Sequence, residues 1–199
     1  MKITCAESSK DFFGEYHQPR FRGVNDLLKI ATIDETSFKD IPIPCRHCLY
    51  WQTDGPFDQK MLTPEMERKK LEWINNMTRE AGSWVKVAYL DDLPVGFLQC
   101  AKPKFFPRTL EYASGPPSDD ALFLACLYIL SKENRGIGIG TALLKDLLTE
   151  LRNTKARTVE TFARKGSAEN PSGPLEFYMK HKFKIRNDDD AFPLLRLEL

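Results

Sequence analysis

Ala121-Leu122-Phe123-Leu124-Ala125-Cys126-Leu127-Tyr128-Ile129-Leu130, then Ser131-Lys132-Glu133-Asn134, then Arg135-Gly136-Ile137-Gly138-Ile139-Gly140-Thr141 is the stretch that decides the fold. The first ten residues are an apolar run of strand length. From about Gly138 to Arg152, Ile139, Leu143, Leu147 and Leu151 recur every four residues, and Leu144 and Leu148 widen the stripe. That spacing predicts an amphipathic helix with one face buried against a sheet. A glycine-rich turn between a strand and a helix presents unpaired backbone N–H groups at the positive end of the helix dipole. It is a ready site for a phosphate, and glycine lets the ligand approach without meeting a Cβ.

Two familiar phosphate loops do not fit. No Gly-x-x-x-x-Gly-Lys-Ser/Thr string exists, and the last two glycines stand one residue too close for Gly-x-Gly-x-x-Gly. Arg135, Gly138 and Gly140 instead give Arg-x-x-Gly-x-Gly. Around them, Val85 to Leu90 and Val95 to Ala101 read as two strands joined at Asp91-Asp92, with Pro94 at the start of the second. Thr158 to Arg164 reads as the next strand, and Leu175 to Phe183 carries Tyr178 five residues before Phe183. In this order the motifs resemble the GNAT superfamily of N-acetyltransferases over roughly residues 60 to 199. Lys182 stands where that family usually has glycine. Cys45-Arg46-His47-Cys48-Leu49-Tyr50-Trp51-Gln52, with Leu195-Arg196-Leu197-Glu198-Leu199 at the end, resembles a bacterial branch of the superfamily.

The resemblance implies an α/β (α+β) fold, with a mixed, mostly antiparallel sheet of six or seven strands and about four helices. It implies acetyl-CoA as cosubstrate. The strands at 121 to 130 and 158 to 164 should splay apart, with the backbone of Leu127, Tyr128, Ile129 and Leu130 pairing with the pantetheine. Arg135, Gly136, Ile137, Gly138, Ile139, Gly140 and Thr141 should take the pyrophosphate. An amine, from a small molecule or a peptide, would attack the thioester directly in a ternary complex, with Tyr178 as the acid for the leaving thiolate. The resemblance gives no role to Asn170.

Composition sets the limits. The 199 residues suit one domain, 1–199, with 1–55 its less defined part. With 29 basic and 28 acidic residues the net charge is +1, which gives no electrostatic case for nucleic acid or an acidic membrane. Arg68-Lys69-Lys70 reads as a solvated helix face. Met1 to Glu7 lacks an apolar core of signal-peptide length, and no apolar run approaches the ~20 residues of a membrane span, so a cytoplasmic protein is expected. Thr63-Pro64-Glu65 is a helix start, and Gly82 should end that helix after Ala81.

Several residues carry two readings. Cys45 and Cys48 have metal-ligand spacing, but no second pair exists to complete a zinc site, and a redox pair would want a thioredoxin-like context. No metal is expected, and small apolar packing beside Tyr50 and Trp51 is the plainer reading. Tyr178 is either a core aromatic or a group facing the thiol. Glu160, on the strand after the glycine-loop helix, is either a base acting through a water or an outward carboxylate. Trp51, Trp73 and Trp84 read as packing residues. A non-catalytic acyl-CoA-binding module of the same fold, and a zinc-organised interaction protein, are the functional alternatives; a homodimer stays open.

Overall fold

The computed structural model describes residues 28–57, 62–82, 84–166, 170 and 172–199. The N-terminal stretch Met1 to Glu7 lies outside them. Seven strands form one sheet in the order β1-β2-β3-β4-β5-β7-β6. They are β1 Leu28–Thr32, β2 Trp84–Leu90, β3 Leu93–Ala101, β4 Leu122–Ile129, β5 Thr158–Phe162, β6 Lys184–Asn187 and β7 Leu194–Glu198. Every neighbouring pair is antiparallel except β4 and β5. Three α-helices, α1 Pro64–Ala81, α2 Ile139–Arg152 and α3 Leu175–Lys180, are found among the described residues, with three short 3-10 turns beside them.

Local chemistry explains the boundaries. Asp91 and Asp92 both have positive φ, at 50° and 62°, and make the two-residue turn whose twist matches a β2–β3 hairpin. The Thr63 side chain accepts the Met66 N–H at 3.2 Å, Pro64 opens α1, and Gly82 ends it at φ 84°. α2 buries Ile139, Leu143, Leu144, Leu147, Leu148 and Leu151 on one sheet face, with Leu98, Leu124, Val159, Tyr178 and Leu195. A fully buried leucine there contributes about 1.5–3 kcal/mol. The opposite face is covered by α1 and the segment around Trp51, over Phe97, Phe106, Phe123 and Phe162. Trp51 stacks on Tyr112 and Phe162, and Trp84 is buried as well, as packing residues should be.

One expectation fails inside α1. Lys70 is not on a solvated face: with Ile74 and Met77 it forms the helix's buried stripe and is 1% exposed. The spacing i, i+4, i+7 puts it there.

The end of α3 departs from the family habit at Lys182. Lys182 N–H donates to Met179 O at 3.0 Å and Phe183 N–H to Tyr178 O at 3.1 Å, while Lys182 itself has φ 70°. This is a Schellman cap with lysine in the left-handed position, and the Tyr178 and Phe183 rings meet edge-on at 5.3 Å across it. A left-handed non-glycine residue costs about 1–2 kcal/mol, and glycine's extra freedom in the unfolded chain returns about 0.5–1 kcal/mol of that. Lys182→Gly is therefore expected to stabilise the protein by about 0.5–1 kcal/mol and raise Tm by about 1–4 °C in a thermal melt; an unchanged or lower Tm would contradict the cap.

Candidate active site

β4 and β5 start side by side and then part. Their ladder holds only Leu122–Val159 and Phe123–Glu160. Beyond it the Thr161 hydroxyl donates across the opening to Leu124 O at 2.8 Å. On its other edge β4 stays paired with β3, but the partner of Gln99 is Cys126 and that of Cys100 is Leu124. Ala125 is thus an extra residue, a bulge at the point where the strands diverge. Leu130 N–H donates to Val95 O at 3.0 Å. Antiparallel alternation then turns the backbone of Tyr128 and Leu130 toward β3, and that of Leu127 and Ile129 toward the opening. Of the four residues expected to meet the pantetheine through their backbone, the register leaves Leu127 and Ile129.

The glycine turn lies at the end of this opening. Gly136 and Gly138 have φ of 78° and 101°, and a Cβ at either would meet nothing within 4 Å. Ala142 N–H makes the first helical bond, to Gly138 O at 2.9 Å. The N–H groups of Ile139, Gly140 and Thr141 precede the reach of α2's own carbonyls. Gly140 serves packing instead: its Cβ would stand 3.2 Å from Leu127 and 3.7 Å from Phe177. Ile137 is exposed at 39%. Arg135 ties the turn to β4, its Nε donating to Ile129 O at 3.3 Å and its guanidinium lying 5.9 Å from the Tyr128 ring centre. Thr141 Oγ1 lies 3.2 Å from His181 Nε2. Burial, with Lys180 and Lys145 nearby, holds the His181 pKa below its ordinary value.

Tyr178 is fully buried between α3 and the sheet, and its hydroxyl has no hydrogen-bond partner among the described residues. Thr161 lies close enough to influence it, but its hydroxyl proton is committed to Leu124 O. Burial pushes the phenol pKa up, and the Cys126 sulfur adds to the rise.

Glu160 does not have the freedom a base needs. It is 0% exposed. It accepts Ser118 N–H at 2.7 Å and Ser118 Oγ at 2.9 Å, Arg186 Nη1 at 3.1 and 3.2 Å, and Arg196 Nη1 at 3.0 Å. With both oxygens occupied, it works as a structural carboxylate that joins β5 to β6, β7 and the 118–120 turn.

On the α1 face, Lys70 Nζ donates to Gln99 Oε1 at 2.7 Å and to Cys48 O at 3.1 Å. Gln99 Nε2 donates to Cys126 Sγ at 3.4 Å. Burial lowers the Lys70 pKa, and the sulfurs of Cys48, Cys126 and Cys45 pull it back up. The sequence reading missed Lys70, Gln99, Cys126 and Thr161; a lone polar Gln99 within the apolar run Val95 to Ala101 was the available signal. Cys45 and Cys48 sit in one turn, Cys48 N–H donating to Cys45 O at 3.2 Å. Among the described residues no three His, Cys, Asp or Glu side chains gather to hold a metal.

A chain with this parted sheet and this loop belongs to the acetyltransferase (GNAT) family, whose model matches residues 46–183. No curated protein matches it. Solved structures of similar fold include the PaiA N-acetyltransferase of Thermoplasma acidophilum in complex with coenzyme A, at 14% identity over 87% of this chain and 99% of that one, TM-score 0.57. The ribosomal-protein-alanine N-acetyltransferase of Brucella melitensis aligns at 17% identity over 86% and 99%, TM-score 0.55. Arabidopsis thaliana Naa50, bound to the bisubstrate analogue CoA-Ac-MVNAL, aligns at 15% over 86% and 99%, TM-score 0.51.

The Glu160 geometry sets a test. Glu160→Gln removes the charge from a buried carboxylate that two arginines face, and is expected to cost about 2–3 kcal/mol of stability, read as a lower denaturant midpoint. A variant with unchanged stability but lost activity would restore Glu160 as a base.

Proposed function

We propose that the protein is a cytoplasmic, acetyl-CoA-dependent N-acetyltransferase that moves an acetyl group to the amine of a small molecule or peptide by direct attack in a ternary complex. The observation that carries this reading is the parting of β4 from β5 on the strand that leads into a left-handed glycine turn opening a 14-residue helix. The CoA-bound folds of PaiA and Naa50 support it. The pantetheine would lie along β4 at Leu127 and Ile129 as an added strand. The pyrophosphate would meet the N–H groups of Ile139, Gly140 and Thr141, with Gly136 and Gly138 supplying the turn and Arg135 beside it.

The thioester carbonyl would then fall near the Ala125 bulge, where a backbone N–H of β4 would stabilise the oxyanion. The amine nitrogen attacks, the tetrahedral intermediate collapses, and the C–S bond breaks. Tyr178 faces the departing sulfur. Its pKa is raised, whereas a thiol titrates near about 8.5, so transferring the phenol proton outright is uphill. Tyr178 instead donates a hydrogen bond to the developing thiolate. Positioning supplies much of the remaining acceleration.

Coenzyme A itself tests the reading. At about 100 times its Kd it should stabilise the fold by about 2.7 kcal/mol in a thermal melt. Gly138→Val, strained at φ 101°, should weaken that binding at least about tenfold, or about 1.4 kcal/mol. A wild-type Tm unmoved by CoA would sink the proposal.

Tyr178→Phe separates catalysis from packing, since it removes only a hydroxyl that has no hydrogen-bond partner among the described residues. Losing a hydrogen bond to a charged group costs about 1.5–3 kcal/mol, so kcat should fall by about 10- to 150-fold with the acetyl-CoA KM little changed. An unchanged kcat, measured with chemistry limiting, would leave Tyr178 as a core aromatic.

A further inference from the structure

Lys70 and Lys86 are both buried lysines, 1% and 2% exposed, and they are treated oppositely. Lys86 Nζ meets Asp146 at 2.8 Å and Glu150 at 2.5 Å. Lys70 has no carboxylate within ion-pair reach among the described residues; it meets Gln99 Oε1, Cys48 O and the faces of Trp73 and Phe97, at 5.0 and 5.8 Å from the ring centres. A buried ammonium without a counter-anion costs several kcal/mol. The groups that can become anions around it are thiols: Cys45 and Cys48 from the 45–52 segment and Cys126 from β4.

Gln99 singles out one of them. An ammonium only donates, so the Gln99 carbonyl must face Lys70, and its NH₂ therefore points at Cys126 Sγ. The amide dipole is aligned for a positive charge on Lys70 and a negative charge on Cys126. Gln52 Nε2 also donates to Gln99 Oε1, at 3.2 Å, and fixes the same orientation. Cys126 follows the Ala125 bulge, where β5 has parted from β4, and across that opening lies the Tyr178 hydroxyl, without a hydrogen-bond partner among the described residues, which feels its sulfur. Among the described residues, the titratable groups facing this Lys70–Cys126 pair are Cys45 and Cys48 from the 45–52 segment and Tyr178 from α3.

We infer that Lys70, acting through the Gln99 amide, holds Cys126 as a thiolate, and that this thiolate carries the acceptor's proton to the departing CoA sulfur. The inference rests on the acetyl-transfer reading above and supplies the base that Glu160 cannot be. As the N–C bond forms, the attacking nitrogen becomes cationic and passes one proton to the Cys126 sulfur. The C–S bond breaks, CoA leaves as a thiolate, and the Cys126 thiol returns that proton to it. The amide and free CoA are produced, Cys126 is again a thiolate, and nothing is oxidised or reduced. Proton transfer between two thiols is close to balanced, which suits a shuttle. Cys126 is the catalytic residue in this scheme; Lys70 and Gln99 are positioning residues.

Thiolate absorbance at 240 nm, titrated against pH on the full chain, tests the pair without an acceptor. The wild type should show one thiolate present below the ordinary thiol range of about 8.5, and Cys126→Ser should lack it. In Lys70→Met, and independently in Gln99→Leu, that transition should move up by at least about one pH unit. Each variant is also melted with and without CoA, and the wild type is incubated with acetyl-CoA alone and weighed by mass spectrometry. Wild-type and Cys126→Ser titrations that coincide below pH 8, with CoA still binding, overturn the shuttle alone. A stable acetyl group on Cys126 would overturn it too, because the sulfur would then be an acyl carrier. Failure of CoA to bind the wild type overturns the acetyl-transfer reading and, with it, the shuttle.

Discussion

The parting of β4 from β5 is the constraint on which the rest of the molecule depends. Two parallel strands with apolar faces should zip along their whole length. Here the ladder stops at Phe123–Glu160 because each side is held elsewhere. β4 is kept on β3 through the Ala125 bulge, and β5 is drawn toward β7, with which it pairs over five residues. Glu160 pins the vertex. Its two oxygens gather Ser118, Arg186 and Arg196, and Arg196 reaches on to Asp120. A buried carboxylate with this many donors is costly to expose, so the strands cannot slide to close the gap.

What fills the two sides of that gap differs in kind. On the α2 side the contacts are mostly leucines, and the polar groups are the backbone N–H groups at the helix start, the Thr141–His181 pair and the Tyr178 hydroxyl. On the α1 side a polar chain runs from Cys48 O through Lys70 and Gln99 to Cys126. The contrast with Lys86 gives this its meaning. For Lys86, burial works to lower the pKa, but hydrogen bonds to Asp146 and Glu150 outweigh it and the pKa rises. That pair fastens α2 to β2 and is electrostatically settled. Lys70 is lowered by burial with only sulfurs to oppose it. Such a lysine is unsettled by itself, and a buried charge of this kind beside an opening in the sheet is what singles it out for the role inferred above.

Much of this was legible in the sequence, for reasons that differ by residue. α1 and α2 were readable because a cap, a proline, a glycine and a four-residue apolar repeat all agree on their limits. The β2–β3 hairpin was readable because Asp91-Asp92 tolerates left-handed backbone. The chemistry of the site was less so. Glu160 was placed on the right strand, but its neighbours Arg186 and Arg196 lie 26 and 36 residues away, and only tertiary pairing shows that its oxygens are taken. Lys70 was hidden by its own neighbours: Arg68 and Lys69 are surface groups paired with Glu65 and Glu72, and charge composition outweighed the i, i+4, i+7 spacing.

The glycine turn shows how one motif divides its labour. Gly136 and Gly138 are demanded by backbone sign and have open space around them, so their hydrogens face where a ligand would lie. Gly140 is favoured by approach, since a Cβ there would stand 3.2 Å from Leu127 and force its side chain to shift by a few tenths of an ångström, while meeting Phe177 at an ordinary 3.7 Å. Phe177 and Tyr178 share α3, and the Lys182 cap fixes where that short helix ends. The spacing from glycine to tyrosine is therefore mechanical. The close contact at Gly140 brings α3 against the start of α2, and α3 then holds the Tyr178 hydroxyl over the opening that β4 and β5 leave. The glycine turn and the Tyr178 phenol are thus held near each other by packing at the start of α2.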